Sequence, residues 1–356
     1  MTAVAPGQGE PRPDWARAGL EEAGFASDLG ERIDAGVRDG RFANLHAVLI
    51  ARGGKLVLER YWPGEDEVWG RPRGVVSHGP DELHDIRSVT KSVVGLLYGI
   101  ARAGGMAPDL AAPLVDQFPE YPDLAADPAR RRMTVAHALT MTLGTEWDEG
   151  LSYADPRNSE HAMELAADRH RFVLDRPMVA APGERWTYNG GATAILGRLI
   201  AKGSGRSLAD FARERLFAPL ALENVEWVRG DDGEYVAASG LRMRARDLLK
   251  IGQLVLDGGR RDGREVVPAD WLDRSFRTHA RAIDIDYGYQ WWLGPEPADG
   301  APRWVAGFGN GGQRVMVWRR SATAIVILAG NYNRPDAWKL PVAIVTDVIL
   351  PATRPR

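Results

Sequence analysis

The chain has 356 residues, 44% hydrophobic and 26% charged, with a formal net charge of -3 and no cysteine. That length and balance fit one large globular domain or two intimate ones, and the near-neutral charge supplies no field favouring nucleic acid or an anionic membrane. Lacking cysteine, the chain is excluded from disulfides, thiolate metal sites and cysteine nucleophiles.

The opening MTAVAPGQGEPRPDW lacks a basic start followed by an apolar core, so no Sec-type signal peptide is expected and the expected location is cytoplasmic. No apolar run approaches the roughly 20 residues needed to span a bilayer. Residues up to about Pro13 read as disordered, within a partly disordered segment 1–25. A helix is predicted from about Ala26 to Val37. Two β-rich runs then flank Gly53-Gly54 in LHAVLIARGGKLVLERYW, a hairpin signal. Glu65 to Pro80 reads as loop.

A helix starts near Ser88 and runs through KSVVGLLYGIARAG; it is apolar nearly all round, so it is expected to be buried. Helices and loops follow to about Gly258, with Gly205 and Gly258 as helix stops. RVMVWRR and TAIVILAGNY read as strands, and a last helix is predicted from about Asp336 to Ile349. The expected fold is therefore α/β of the α+β type. A mainly antiparallel sheet from 26–87 and 261–351 is flanked by helices, a helical subdomain 88–260 is inserted, and a ligand cleft lies between.

Three segments carry candidate chemistry. In HDIRSVTKSVV, Ser88 and Lys91 are three apart and share a helix face. A serine hydroxyl needs an adjacent base, and a lysine amine serves if burial and nearby positive charge lower its pKa. The peptide dipoles of the helix start also favour an oxyanion beside Ser88. The alternative is a helix-capping serine with a solvated lysine one turn on. The only lysines are Lys55, Lys91, Lys202, Lys250 and Lys339, among 45 basic residues. A lysine that persists in so arginine-rich a chain points to a role that needs proton loss.

In APGERWTYNGGATAILG, Tyr188 sits where a strand-like stretch meets a helix, next to Asn189, Gly190 and Gly191. Its phenol could relay protons; a locally hydrogen-bonded structural tyrosine is the alternative. In WVAGFGNGGQRVMVWRR, Gly307, Gly309 and Gly312 formally match a dinucleotide fingerprint, which needs a helix next; a strand pattern follows instead. These glycines suit a strand edge approaching substrate, or a plain hairpin turn.

Together the ordered segments resemble the serine β-lactamase and penicillin-binding protein superfamily, in the branch of class C enzymes, esterases and aminohexanoate-oligomer hydrolases. Ser88-Val89-Thr90-Lys91 fits its Ser-x-x-Lys motif, Tyr188-Asn189-Gly190 its Tyr-x-Asn, and Gly307-Phe308-Gly309 or its neighbours its Lys-Thr-Gly. The resemblance covers about residues 44 to 350.

It implies an acyl-enzyme on Ser88, activation by Lys91, proton relay by Tyr188, and an oxyanion hole from the backbone N–H groups of Ser88 and Asn310. Substrate contacts would come from Asn189, Gly190, Gly309, Gly311, Gly312 and Gln313. No metal or organic cofactor is implied. Two departures matter: the second motif ends in Gly190, and the third lacks a cation at its first place. The missing cation shifts the expectation from β-lactams to ester or amide hydrolysis of a small molecule, with no nucleic-acid or membrane partner. A β-lactamase or D-Ala-D-Ala peptidase, and a catalytically silent binding protein of the same fold, are the competing readings.

The acidic, aromatic segment Thr145–Asp155, with Trp147 and Tyr153, could line the cleft or be a solvated loop. The seven histidines show no metal-binding spacing, and there is no G-x-S-x-G elbow. His84, one helical spacing before Ser88, falls ahead of the helix.

Overall fold

The protein is described from a computed structural model, over residues 14–282, 284–295 and 303–354. The disorder expected up to Pro13 lies outside the described residues. Residues 14–25, the remainder of the segment expected to be partly disordered, are packed: Trp15 and Phe25 are buried and Arg17 bridges to Leu56.

Helix α1, Leu29–Arg38, comes close to its predicted span. The hairpin follows as β1, Leu45–Arg52, and β2, Lys55–Tyr61, with Gly53 and Gly54 both at positive φ in the turn. Such a turn matches the right-handed twist of its strands, and glycine adopts it without steric cost.

β1 pairs on its other side with Thr323–Ala329, with Val48 opposite Ile327 and Ile50 opposite Ile325. That pairing joins the two ends of the chain into one antiparallel sheet of eight strands. Its order from one edge is Ala280–Ala282, Ile285–Tyr287, Trp292–Leu293, Val305–Gly309, Gln313–Trp318, Thr323–Ala329, β1 and β2.

β1 is buried along its whole length because both faces of the sheet are covered. Ala47, Leu49 and Ala51 join the core shared with the central helix and with Ala245–Leu256. Val48 and Ile50 point the other way, into the core under α1 and the C-terminal helix. The result is three layers, helix, sheet and helix.

The central helix α2, Val89–Ala103, is buried from Val89 to Ala101, as its all-round apolar pattern requires. The middle of the chain also holds the helix Gly190–Ser204, ended by Gly205 at φ 65, and the helix Ala245–Leu256, followed by Gly258 at φ 62.

Two expectations need correction. Glu65–Pro80 is not a loop: Gly64–Val68 and Arg71–Val76 form a hairpin around Trp69 and Gly70, both at positive φ. Its sequence lacks apolar alternation because most of the hairpin stands clear of the core. The section 88–260 is not wholly helical either. Leu241–Arg244 pairs with Leu83–Asp85 on one side and Val225–Trp227 on the other in a small sheet. Those strands have three or four residues each, too short to show a period. The short sheet fixes the chain immediately ahead of Ser88.

Candidate active site

Ser88 stands at the N-terminal boundary of α2. Arg87 before it holds φ 48, a region costly for a residue with a Cβ. Neighbours hold it there: its guanidinium pairs with Glu67 and with Asp85 at 3.3 Å, and lies over the rings of Trp69 and Tyr332.

One turn into the helix, Lys91 is buried and its Nζ donates to Ser88 Oγ at 3.0 Å. The same ammonium donates to the Ala238 carbonyl at 3.1 Å and to Glu160 Oε2 at 3.2 Å. Its three donors are thus all used. The lysine lies 4.9 Å from the ring centre of Tyr188, so the residues of the first two motifs meet.

The electrostatics overturn one expectation. Burial by itself works against a charged Lys91, but Glu160, Tyr188 and Glu149 outweigh it and hold the amine above the ordinary lysine range. A lysine with a lowered pKa is not what this site contains. Tyr188 is pushed up by burial, with the Lys91 charge and the Ser88 hydroxyl pulling against it.

Glu160 is pressed upward by burial, but Lys91 and the Ser239 hydroxyl, 2.6 Å from Oε1, keep it below the usual carboxylate range. Glu149 goes the other way: burial and the Glu160 charge push it up to about 7. Its carboxyl accepts from Trp147 Nε1 at 2.6 Å, from Tyr153 Oη at 2.8 Å and from the Gly190 backbone N–H at 2.5 Å.

A cleft of about 620 Å³ opens on this cluster, lined by Ser88, Arg87, Tyr153, Glu160, Glu164 and Asn310 among others. Asn310 begins the turn after Val305–Gly309. That strand pairs with Trp292–Leu293 only at Val305 and Ala306, which leaves Gly307 and Gly309 without a strand partner on that side among the described residues. Gly307 faces α2, where a Cβ would meet Val89 and Ser92 at 3.0 Å.

Other candidates also make contacts within the fold. Asn189 caps the Gly190 helix by accepting from the Ala192 N–H at 3.0 Å. Gly190 packs against Glu160, where a Cβ would sit 2.2 Å from Oε2. Gly311 and Gly312 make the turn at φ 89 and 102. Gln313 is buried and pins that turn by donating to the carbonyls of Asn310 at 3.1 Å and Ala329 at 2.6 Å. Trp147 is buried and orients Glu149. The stretch before Tyr188 is loop rather than strand.

Glu160, Glu149, Ala238, Ser239 and Arg87 were missed in the sequence. Glu149 falls in the acidic segment flagged there; nothing local marks the others.

His84 lies outside this cluster. Its Nδ1 donates to the Asp85 carbonyl at 2.9 Å, and its Nε2 is 2.9 Å from His46 Nδ1. Among the described residues, His46, Asp66 and His78 bring three donor atoms within 4.8 Å of one another. The His46 and His78 rings are stacked at 3.9 Å, so their in-plane lone pairs run side by side rather than converging, and Arg73 already pairs with Asp66 at 3.3 Å. The arrangement fits a metal poorly.

A three-layer sandwich with a buried Ser-Lys pair at the start of its central helix is the architecture of the serine β-lactamases and penicillin-binding proteins. The Beta-lactamase family profile matches residues 32–339, and the chain belongs to that family of hydrolases.

It is 25% identical to the 6-aminohexanoate-dimer hydrolase of Paenarthrobacter ureafaciens over 87% of this chain and 76% of that protein. It is 26% identical to esterase EstB of Burkholderia gladioli over 60% of this chain, spanning 54% of the esterase's length. The octameric penicillin-binding protein homologue of Pyrococcus abyssi superposes with a TM-score of 0.68 at 19% identity, over 92% of this chain and 77% of that one. No helix among the described residues is long and apolar enough to cross a membrane.

Proposed function

We propose that the protein is a serine esterase or amidase acting on a small ester or amide through an acyl-enzyme on Ser88. The observation that carries this reading is the 3.0 Å contact between Lys91 Nζ and the Oγ of Ser88, which lines the cleft. A hydroxyl held by an amine at a helix start has both a proton partner and a field that favours the oxyanion.

In this reading Ser88 Oγ attacks the substrate carbonyl and its proton passes to Lys91, which gives up one of its own ammonium protons in the same step. The tetrahedral oxyanion is held by the N–H groups of Ser88 and Asn310. Tyr188 hands a proton to the leaving group, and water then releases the acyl group by the reverse relay. Small ester and amide substrates accord with the activities named for the two curated relatives.

The test is reaction of the protein with a fluorophosphonate, followed by intact mass. One adduct is expected, lost in Ser88→Ala. No adduct on the folded protein overturns the acyl-enzyme and favours a silent binding protein. Turnover of p-nitrophenyl esters, a linear aminohexanoate amide and nitrocefin then orders the substrates; nitrocefin outrunning every ester would favour a β-lactamase.

A further inference from the structure

If Lys91 rests as an ammonium, it has no lone pair for the Ser88 proton until it has given one of its own away. A pair of buried carboxyls, one of them in contact with the ammonium, lies where that proton can go. Glu160 Oε2 is 3.2 Å from Nζ, and the Glu149 carboxyl is in hydrogen-bonding contact with Glu160. We propose that the Glu149–Glu160 pair is the proton acceptor of this site and that Lys91 is the relay connecting it to Ser88. This rests on the acyl-enzyme reading above.

The step balances. As Ser88 Oγ bonds to the substrate carbonyl carbon, the Oγ–H bond breaks and its proton goes to Nζ, while one Nζ proton passes to Glu160 Oε2. Lys91 ends with the charge it began with, and Glu160 becomes neutral. When the tetrahedral intermediate collapses, the stored proton returns through Lys91 and Tyr188 to the leaving group.

The surroundings support a pair that holds one proton. Two ionised carboxylates in contact repel, so one keeps its proton. Glu149, pushed up to about 7, is the one that keeps it. Facing the pair are Lys91 from α2, Tyr153 and Trp147 from the segment around Glu149, Tyr188 ahead of the Gly190 helix, and Ser239. Beyond Glu160 lie Glu164, Arg169 and Asp232. Lys91 is the cation in direct contact with Glu160, so the proton path runs through it.

The sign of the pH dependence follows. Below about 7 Glu149 is protonated and stabilises the Glu160 carboxylate, which makes Glu160 a weaker acceptor. Above it the added charge raises the proton affinity of both Glu160 and Lys91, and more that of Glu160, which Glu149 contacts directly, than that of Lys91, which it reaches only through the field. Acylation therefore speeds up as pH rises through about 7.

Glu149 and Glu160 are positioning residues here, since neither touches the reacting carbon. The test is the rate of adduct formation and of the p-nitrophenyl acetate burst, each followed from pH 5.5 to 9. Glu160→Gln is expected to slow both by about 100-fold or more with KM little changed. Glu149→Gln is expected to abolish the inflection near pH 7. An unchanged or faster burst in Glu160→Gln overturns the proposal, because Lys91 is then its own base.

If Glu160→Gln fails to fold, persistence of the inflection in Glu149→Gln overturns it equally. Failure of the wild-type protein to form the Ser88 adduct would instead sink the acyl-enzyme reading, so the two failures are distinguishable.

Discussion

Gly309 lies so close to the Ile86 backbone that a Cβ on it would stand 2.4 Å from the Ile86 carbonyl oxygen. This approach ties the strand of the third motif to the segment that delivers Ser88, and brings Asn310 to the cleft. Gly309→Ala must push the two apart. The expected result is a fall of about 100-fold in kcat/KM, the cost of losing one oxyanion donor, with far-UV dichroism unchanged. Wild-type turnover in this variant would remove Asn310 from the oxyanion hole.

Tyr188 combines a structural ring with the hydroxyl proposed as the proton relay. The ring stacks on Trp292 at 5.7 Å and tilts against Trp186 at 6.2 Å. Tyr188→Phe keeps those contacts and removes only the hydroxyl. Ester turnover is expected to fall by about 10²–10⁴-fold with little change in Tm. Turnover close to that of wild type would reduce Tyr188 to a wall of the pocket.

Lys91 and Glu160 form a buried pair, and removing one partner strands the other. Lys91→Met is expected to lose about 3–5 kcal/mol of stability along with activity. The double variant Lys91→Met with Glu160→Gln should recover much of that loss, because no uncompensated carboxylate remains. Urea unfolding of both single variants and of the double variant checks this; an additive double variant would show that the pair is not coupled.

His170 links burial to acid sensitivity. Burial, with Arg198 and Arg169 nearby, depresses its pKa from 6.5 to about 4. The folded state therefore stays neutral where the unfolded chain takes a proton, and stability present above pH 6.5 is lost as pH falls towards 4. The loss is at most about 3 kcal/mol, from 1.36 kcal/mol per pKa unit. His170→Phe, which can still stack on Phe118, should flatten that part of the stability curve in urea titrations at pH 4.5, 5.5 and 6.5. An unaltered slope would show that His170 is not the group responsible.

Much of the frame was legible because its signals are local. The Gly53-Gly54 turn, the all-apolar α2 and the C-terminal strands each carry their own period or turn chemistry. The hairpin around Trp69 and the three short strands beside Ser88 were not legible, since polar strands and strands of three or four residues have no readable alternation.

The sequence by itself determined that Ser88 and Lys91 share a helix face, because a spacing of three on a helix admits no other outcome. It also placed Tyr188 and the glycine-rich strand in the right order. Only the tertiary structure decided the charge state of the lysine. Glu160 reaches Lys91 from 69 positions away and Ala238 from 147, and neither announces itself in the sequence. Burial acting alone would have loosened the hold of Lys91 on its proton. A carboxylate brought up by folding outweighs that desolvation, because attraction between opposite charges grows as water is excluded.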